Sequence, residues 1–451
     1  MKKNRISRRD FMRTAAGAAG AGLAGRSILL EPASLAASPR AVAPSDRVRF
    51  GIIGVGMQGS GLLRTSIQLP GVECVAACDL YDGRHDLAKE IAGAPIPTTR
   101  RYQELLDNKE IDCIINATPD HWHKQIVVDC CSAGKDVYCE KPMTHTVDEG
   151  FEMIAAEQKG KRIVQVGSQR VSGILYAKAK ELLAQGAIGE LSLIESSMGR
   201  NDPTGAWQYP PPPDLSPQNL DWDTWLGTTP KIPFNPLHFA RWRCWQVYGS
   251  GVAGDLFVHL LTGIHFVTGV NAPPQRASST GGIFRWKDGR DVPDVHTTLF
   301  DYPQFEVTMR VTQTTETDEV TRWMGSRGVL ELRGDTLTHQ PQDGVDNSPS
   351  YYASCVPKSL REEYMREWWE KHGPKPGGQK EVEADSYHAP PGYDITRDHL
   401  WNFFEAVRTR KPVVEDATFG NNTSIACHMA NASYFKKTAM EWDAAGKMIR
   451  G

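Results

Sequence analysis

Residues 48–59 read Val-Arg-Phe-Gly-Ile-Ile-Gly-Val-Gly-Met-Gln-Gly, and they carry the clearest indication of the fold. The apolar run before the first glycine of the turn predicts a buried strand, and the residues after the last one predict a helix. Between them, Gly54 permits a tight turn, Gly56 lets the main chain approach a pyrophosphate, and Gly59 lets helix and strand pack closely. Strand, glycine turn and helix together predict a dinucleotide-binding Rossmann domain.

Apolar strands and helical stretches go on alternating as far as residue 168. The strand-like runs cover residues 72–77, 111–117, 136–139 and 163–166, and the helical stretches cover residues 84–92, 123–133 and 147–159. This alternation predicts a doubly wound parallel sheet, because a crossover helix commonly joins two parallel strands. We therefore place an α/β Rossmann domain at residues 47–168.

Asp79 ends the second predicted strand. In a dinucleotide-binding domain, a carboxylate at this place hydrogen-bonds the ribose hydroxyls of the adenosine half. The same negative charge repels a 2′-phosphate. Asp79 therefore favours NAD over NADP as the cofactor.

Two further segments follow predicted strands, where ligands bind in parallel sheets. Residues 118–123, Thr-Pro-Asp-His-Trp-His, hold two histidines that are a candidate metal pair. No third ligand lies nearby in the sequence, so we predict no metal. In residues 139–142, Cys-Glu-Lys-Pro, Lys141 beside a nicotinamide would donate to a substrate hydroxyl or share its proton. A Glu-Lys-Pro triplet taken alone is more often a surface turn.

Asp255 and His259 stand four positions apart in Asp-Leu-Phe-Val-His. If a helix begins at Asp255, both side chains lie on one face. His259 would then accept a proton, while Asp255 would contact the substrate or orient the imidazole. The alternative is that Asp255 caps the helix and that His259 is a core residue with its hydrogen bonds made inside the protein. For this fragment taken alone, that structural interpretation is favoured.

The remainder of the chain, residues 169–451, has a different pattern. Period-two alternation between residues 276 and 332 predicts an antiparallel sheet with one solvated face. Residues 335–391 are polar and rich in Pro and Gly, which predicts a loop-rich insertion. Predicted helices at residues 399–408 and 424–438 close the chain, so this region is expected to be an α+β domain.

The first 43 residues predict an export signal and a linker. Arg8 and Arg9 precede an apolar, Gly- and Ala-rich run over residues 14–30 that is uncharged except at Arg26. The run is too short for a typical membrane span. We therefore predict a twin-arginine signal, a periplasmic location and no stable membrane insertion. The alternative is a basic tail without a role in export.

The composition of the 451 residues is that of ordinary globular proteins, with 40% hydrophobic and 23% charged residues. A net charge of −3 argues against a nucleic-acid partner and favours a small molecule. The nine cysteines are odd in number and scattered, and most fall in predicted Rossmann elements. Buried free thiols are therefore expected rather than a disulfide framework.

Taken in order, these motifs resemble the Gfo/Idh/MocA family of oxidoreductases, whose members include glucose–fructose oxidoreductase and inositol dehydrogenase. The resemblance runs from Val48 to the end of the chain. It rests on the glycine turn, Thr118-Pro119-x-x-x-His123, Glu140-Lys141-Pro142 and Asp255-x-x-x-His259, with similar segments at Leu220–Gly227 and Glu441–Asp443.

The resemblance implies a second domain with a large, mostly antiparallel sheet that commonly mediates oligomers, so we expect a homo-oligomer. It also implies a catalytic group of Lys141, Asp255 and His259. Thr262 stands where many members carry an acidic residue, which makes His265 a candidate pocket residue. The expected cofactor-binding residues are Gly54, Gly56, Met57, Gln58, Gly59, Asp79, Thr118, Pro119, His123, Glu140, Lys141 and Gln169. The expected substrate-binding residues are Arg170, Trp242 and His265.

The chemistry expected of these groups is hydride transfer between a nicotinamide and a hydroxyl-bearing carbon of a sugar, cyclitol or glycoside. Five tryptophans between residues 207 and 245 are candidate platforms for sugar rings, although core or interface positions suit most of them better. Two alternatives stay open. One is an NAD-dependent glycosidase that oxidises its substrate transiently with a retained cofactor, and the other is a non-catalytic NAD-binding protein.

Overall fold

The computed structural model describes residues 26–30, 43, 46–342, 353–372 and 383–451. Nearly all of the predicted export signal lies outside the described residues. Among the few described residues of this segment, Ser27–Leu29 form a short strand, β1. Export through the twin-arginine pathway therefore stays a prediction.

The Rossmann sheet is parallel throughout, as predicted. Its six strands are β2 (Val48–Ile53), β3 (Val72–Cys78), β4 (Thr98–Thr99), β5 (Cys113–Asn116), β6 (Asp136–Glu140) and β7 (Val164–Gly167). Their spatial order is β4-β3-β2-β5-β6-β7, so the direction of winding reverses between β2 and β5. The carboxyl ends of the strands beside such a reversal form a crevice that binds a dinucleotide in other doubly wound proteins.

Both faces of this sheet are buried under helices. The helices that follow its strands are α1 (Met57–Ser66), α2 (Gly83–Ala92), α3 (Tyr102–Asp107), α4 (His123–Ser132) and α5 (Val147–Gly160). Successive side chains of a strand point to opposite faces. Ile52 accordingly joins one apolar cluster and Ile53 the other. This two-sided burial explains why the strands read as continuous apolar runs.

The second sheet is mostly antiparallel, as predicted, and has eleven strands among the described residues. Besides β1, its strands are β8 (Leu191–Gly199), β9 (Arg276–Gly282), β10 (Val295–Asp301), β11 (Glu306–Thr312), β12 (Thr317–Gly325), β13 (Gly328–Arg333), β14 (Thr336–Pro341), β15 (Asp385–His388), β16 (Met440–Asp443) and β17 (Met448–Arg450). Two pairs, β8 with β11 and β1 with β15, run parallel. Buried and exposed side chains alternate along β10 and β11, in agreement with the predicted period of two.

Seven further helices belong to the part of the chain after β7 that the structure describes. They are α6 (Ile174–Ala184), α7 (Trp222–Leu226), α8 (Pro236–Ala240), α9 (Val258–Thr268), α10 (Lys358–His372), α11 (Ile395–Thr409) and α12 (Ala417–Lys436). Helices α6, α9 and α12 contribute to the apolar core on the large sheet, whereas α11 packs on the Rossmann domain through Phe403 and Phe404. No described helix has the length and apolar character needed to cross a membrane.

Residues 335–391 differ from the predicted loop-rich insertion. The described part of this segment contributes β14 and β15 to the large sheet and contains the 15-residue helix α10. Strands near the edge of a sheet keep much of their surface in water, so they need few apolar residues. Their polar composition therefore concealed them.

The structure tests the prediction that the cysteines of the Rossmann domain are buried free thiols. The six cysteines of the Rossmann domain are buried and unpaired, as predicted. Burial raises the pKa of Cys74 to about 12, so its thiol stays protonated at ordinary pH. These side chains act as small apolar groups of the core.

Candidate active site

The glycine turn joins β2 to α1, and the surrounding atoms explain two of its glycines. Gly54 has a φ of +87°, and a Cβ there would lie 2.7 Å from the carbonyl oxygen of Ala117. A Cβ on Gly59 would lie 1.9 Å from the carbonyl oxygen of Gly54. Any side chain would therefore push α1 away from the strand ends. Since α1 begins at Met57, the free N–H groups of its first turn suit a phosphate beside this turn.

Asp79 lies directly after β3 and ties the glycine turn to the next loop. Its Oδ2 accepts the N–H of Val55 at 2.7 Å, and its Oδ1 accepts the N–H of Tyr81 at 3.0 Å. With Gly54 and Thr118, it lines a cavity of about 380 Å³ at the carboxyl ends of β2, β3 and β5. This is the place where a Rossmann domain holds adenosine.

Arg84 brings a cation to the same carboxylate. Its Nη1 lies 3.3 Å from Oδ2 of Asp79, and Arg84 also lines the cavity. A paired cation weakens the repulsion of a 2′-phosphate, and that repulsion is the basis for expecting NAD. The choice between NAD and NADP therefore stays a prediction.

His123 holds two strand-end turns together. Its Nδ1 lies 2.8 Å from the carbonyl oxygen of Pro142, and its Nε2 lies 3.0 Å from the carbonyl oxygen of Thr118. Both ring nitrogens are engaged by the main chain, so the imidazole positions these turns and leaves no nitrogen for a cofactor. Thr118 and Pro119, in contrast, line the cavity.

Glu140 connects α1 to the turn after β6. Its Oε1 accepts the side-chain amide of Gln58 at 2.9 Å, and its Oε2 accepts the N–H of Lys141 at 3.2 Å. Burial raises the pKa of Glu140 to about 7. Of the other expected cofactor residues, Met57 is exposed at the start of α1, and Gln169 follows β7 with a φ of +59°.

The structure places Lys141 against Asp255, far away in the sequence. The Nζ of Lys141 donates to Oδ1 of Asp255 at 2.8 Å and to its carbonyl oxygen at 2.9 Å. The Nε of Arg243 donates to the same Oδ1 at 3.1 Å. Burial acts to raise the pKa of Asp255, but the Lys141 ammonium and the Arg243 guanidinium outweigh it and hold this pKa well below its usual range. Asp255 is therefore an anion shared by two cations.

The segment that carries Asp255 is a π-helical turn, Ala253–Phe257, which runs into α9. The helical conformation begins before Asp255, so the expectation that a helix starts there is wrong. Such turns recur at functional sites. Of the two alternatives for Asp255, orienting the imidazole of His259 is not realised in the structure, because the Nδ1 of His259 has no hydrogen-bond partner among the described residues and the ring bonds the main chain of Ser168.

His259 lies close to this ion group and is neutral. Burial lowers the pKa of His259 well below its usual range, and the charges of Lys141 and Arg170 lower it further. Its Nδ1 is enclosed and has no hydrogen-bond partner among the described residues. Native structures seldom leave such an atom without a partner. A neutral imidazole with a free nitrogen can accept a hydrogen bond or a proton from a hydroxyl.

Arg170 and Trp242, two expected substrate-binding residues, lie around the same group. Arg170 Nη2 donates to both carboxylate oxygens of Glu319, at 2.6 and 2.8 Å. Its buried Nε has no partner among the described residues. The ring of Trp242 lies 4.2 Å from the guanidinium carbon of Arg243, which is a cation–π contact. Their contacts with a substrate stay predictions.

His265 is a core residue, and its prediction as a pocket residue is wrong. It is 1% exposed, its Nε2 lies 2.8 Å from the hydroxyl of Tyr302, and its Nδ1 lies 3.3 Å from the hydroxyl of Thr423. Burial lowers its pKa to about 4. Six residues along an α-helix turn a side chain away from the starting face, so His265 points into the core while His259 faces the ion group.

Two residues of this region were missed from the sequence. Arg243 shares the carboxylate of Asp255 with Lys141. The one feature of the sequence that could have indicated it is its position beside Trp242. An arginine in such an irregular stretch is ordinarily solvated, so it was not predicted. Glu415 accepts the hydroxyl of Ser168 at 2.5 Å behind the carboxyl end of β7, and its Oε1 is buried without a partner among the described residues. Burial raises the pKa of Glu415 to about 8.

Glu415→Gln is expected to flatten the pH dependence of stability. The folded pKa of Glu415 lies above its unfolded value, so the folded chain binds the extra proton and loses stability as pH rises from about 5 to 8. The loss is roughly 2–4 kcal/mol in the wild type. Glutamine keeps the acceptor for Ser168 and removes the titration. Urea unfolding at several pH values measures this slope. An unchanged slope in the variant would contradict the assignment, and Glu90→Gln on the exposed face of α2 is the control.

The candidate metal pair does not converge on one point. The Nε2 of His121 lies 2.9 Å from the carbonyl oxygen of Trp225, whereas His123 bridges the two turns described above. In the part of the chain that the structure describes, no three His, Cys, Asp or Glu side chains are placed to hold a metal ion together.

Residues 48–168 match the GFO_IDH_MocA oxidoreductase family, which is described by its NAD-binding Rossmann fold. Over 149 residues the chain is 34% identical to inositol 2-dehydrogenase of Salmonella typhimurium strain LT2, a match that covers 33% of this chain and 44% of that protein. Over 208 residues it is 32% identical to a glycosyl hydrolase family 109 protein of Shewanella baltica strain OS155, which covers 41% of this chain and 44% of that protein. The matched region spans less than half of either relative.

Solved structures share the arrangement of both sheets. Aldose-aldose oxidoreductase from Caulobacter crescentus, complexed with glycerol, has a TM-score of 0.63 at 16% identity, covering 88% of this chain and 99% of that one. Levoglucosan dehydrogenase in complex with NADH and levoglucosan has a TM-score of 0.63 at 17% identity, with the same coverage. At such identities the likeness concerns the fold, a Rossmann domain followed by a domain with a large, mostly antiparallel sheet.

Proposed function

We propose that the protein is an NAD(P)-dependent oxidoreductase that transfers hydride between a nicotinamide cofactor and a hydroxyl-bearing carbon of a sugar, cyclitol or glycoside. The observation that carries this proposal is the group formed by Lys141, Asp255 and His259 beside the carboxyl end of β6. Lys141 directly follows Glu140, whose carboxylate accepts the side-chain amide of Gln58 in the first turn of α1, so the group is linked to the glycine turn. This link supports a site that holds both the cofactor and the substrate hydroxyl.

The residues around the glycine turn fit a dinucleotide. Gly54 and Gly59 leave no room for a side chain, the N-terminus of α1 faces the turn, and Asp79 stands at the adenosine end. A bound nicotinamide would supply the site that accepts or donates hydride. We propose NAD, because the carboxylate of Asp79 stands at the ribose position.

The chain's own groups would handle the proton of the substrate hydroxyl. An ammonium has three N–H donors, and Lys141 uses two of them on Asp255, which leaves one for the hydroxyl oxygen. The Nδ1 of His259 is enclosed in the structure, so it would accept from the same hydroxyl only once a bound substrate opens a path to it. Because Asp255 stays ionised, it fixes the position of Lys141 across the working pH range. These groups therefore orient a hydroxyl and move its proton as the carbon is oxidised.

Location and assembly extend the proposal. Arg8 and Arg9 with the apolar run after them support export of the folded protein through the twin-arginine pathway to the periplasm. Helices cover one face of the large sheet, and Leu299 of β10 is an exposed apolar side chain on the other face, which supports a homo-oligomer through that face.

An NAD-dependent glycosidase is the second candidate. It is favoured by the match to the Shewanella baltica protein, which extends over more residues than the match to inositol 2-dehydrogenase. In this mechanism the same hydroxyl-bearing carbon would be oxidised transiently, and the C–O bond to the aglycone would then be eliminated with loss of a proton from the carbon between them. Water would add to the resulting double bond, and the hydride would then be returned. The catalytic group would be the same, and only the net reaction would differ.

A single purified preparation separates these candidates. Protein purified without additions is assayed by mass spectrometry for released dinucleotide, and then with sugars, cyclitols and aryl glycosides. Steady formation of NADH with added NAD supports a dehydrogenase, and release of the aryl alcohol without added NAD supports a glycosidase. A protein that neither binds a dinucleotide nor turns over any of these substrates would overturn the proposal.

A further inference from the structure

We infer that residues 214–227 form a strap that closes the adenosine half of the cofactor site, so that the dinucleotide exchanges only when the strap lifts. This inference rests on the proposed function, because it concerns the same cofactor site. The strap belongs to the irregular stretch after β8 and includes α7, and it lies across the loop that follows β3.

Main-chain hydrogen bonds attach the strap to the Rossmann domain. Tyr81 and Leu220 form an antiparallel bridge. The N–H of Asp82 donates to the carbonyl oxygen of Asn219 at 2.9 Å, and the N–H of Asp221 donates to the carbonyl oxygen of Leu80 at 3.0 Å. This isolated bridge and its two flanking hydrogen bonds join the strap to the loop that follows β3.

Side chains hold both sides of this bridge. The hydroxyl of Tyr81 donates to the carboxylate of Asp214. Arg100 donates to both oxygens of Asp82, and its Nη2 also donates to the carbonyl oxygen of Gln218 at 3.3 Å. A forked guanidinium contact of this kind fixes orientation as well as distance. The strap is therefore attached on both sides of Leu220.

The end of the strap is anchored on the turn after β5. The carbonyl oxygen of Trp225 accepts the indole N–H of Trp122 at 3.0 Å, and the Nε2 of His121 lies 2.9 Å from the same oxygen. Behind these contacts the strap packs in an apolar cluster with Tyr81 of the Rossmann domain and with side chains from the segment that follows the strap. The cluster contains Tyr81, Leu220, Trp222, Trp225, Leu226, Phe239 and Tyr248. Lifting the strap would expose this cluster to water, which opposes opening.

The strap also forms one wall of the cavity. Asp221, Thr224 and Trp225 line it from the strap, opposite Gly54 and Asp79 of the Rossmann domain. A ligand at the adenosine position would therefore be enclosed by two separate parts of the chain. The main-chain bridge at Leu220 and the contacts at Trp225 hold this wall in place, and none of them involves the ligand itself. Slow exchange suits a cofactor that is recycled in place.

A reversible lock provides the sharpest test. Tyr81 and Leu220 face each other between the two flanking hydrogen bonds, which is the close pair of an antiparallel ladder and suits a disulfide. In the Tyr81→Cys/Leu220→Cys variant, exchange of bound NAD for isotopically labelled NAD is followed by mass spectrometry after gel filtration. We expect exchange to slow at least about tenfold on oxidation and to recover on reduction. The single variants Tyr81→Cys and Leu220→Cys show no such redox dependence.

A loosened strap provides the opposite test. Asp214 is exposed and lies outside the cavity, so Asp214→Ala removes the contact with Tyr81 without disturbing the core. We expect exchange to become about tenfold faster, as the loss of one or two hydrogen bonds predicts. Asp223→Ala, an exposed aspartate of the same strap, is the matched control and leaves exchange unchanged.

The outcomes distinguish the strap from the proposed function. If oxidation of the paired cysteines leaves the exchange rate unaltered in a protein that still turns over, the strap is wrong and the oxidoreductase stands. If no form of the protein holds NAD or NADP, the proposed function fails and the strap fails with it.

Discussion

Lys141→Met is expected to lower kcat by roughly a thousandfold, which is within the range for losing a proton-handling group. Methionine nearly matches the length of lysine but has no ammonium to contact Asp255 at 2.8 Å or a substrate hydroxyl. Asp255 keeps its ion pair with Arg243, so the site should stay folded. The rate is measured by formation of NADH, or by aryl alcohol release if the glycosidase reaction applies.

The control for this variant is the same substitution at another lysine. Lys124 pairs with Glu152 at 3.2 Å between α4 and α5, away from the crevice, so Lys124→Met should retain the wild-type rate. Mass spectrometry of bound dinucleotide shows whether Lys141→Met still holds its cofactor. A variant that keeps its cofactor and its full rate would remove Lys141 from the mechanism, and the same comparison with His259→Gln tests the second proton-handling group.

Asp255→Asn is expected to lower the free energy of unfolding by about 3–5 kcal/mol, as for other buried ion pairs that lose one partner. The variant leaves the Lys141 ammonium and the Arg243 guanidinium close together without their shared anion. Both cations are mostly buried, so water replaces the carboxylate poorly. Chemical denaturation at neutral pH measures the change, and turnover should fall with it because Lys141 loses its anchor.

The pH dependence of this difference has a definite sign. The pKa of Asp255 in the folded protein lies below its unfolded value, so its stabilisation is complete above about pH 5 and is lost only as pH falls into the strongly acidic range. The gap between wild type and variant should therefore be constant from pH 5 to 8. Asp223→Asn, at an exposed position on α7, is the control. Equal stabilities of wild type and Asp255→Asn would contradict the ion group.

Local chemistry explains why the Rossmann domain could be predicted in detail. A strand that is buried on both faces must be apolar throughout. In the turn that follows it, Gly54 is required because the main chain of Ala117 lies too close for a side chain, and Gly59 is required because the main chain of Gly54 does. Two-sided burial applies to every strand of the sheet, and the close contacts of the glycine turn arise at the ends of its strands, so both can be recognised in the sequence. Asp79 was predicted correctly at the strand end for the same reason, since the end of β3 is visible as the end of an apolar run.

Predictions that depended on a contact between residues distant in the sequence were less successful. β14 and β15 were missed because strands near a sheet edge can be polar, and only pairing with β13 and β1 makes them strands. His265 was misplaced because the choice of a pocket residue used distance along the chain, whereas the direction of a helical side chain depends on helical rotation. Arg243 was missed because its one signal, the position beside Trp242, does not show which anion it pairs with.

Sequence patterns alone predicted the glycine turn from Gly54 to Gly59 and the parallel sheet around it, and the family resemblance implied roles for Lys141 and His259. The tertiary structure alone decided which groups meet. It placed Lys141 and Arg243 on one carboxylate of Asp255, and it laid the strap across the loop after β3. The reason is that the two kinds of interaction act over different separations along the chain. Propensity, periodicity and steric limits act on neighbours in the chain, whereas ion pairs and strand pairing form between segments that only the complete fold brings together.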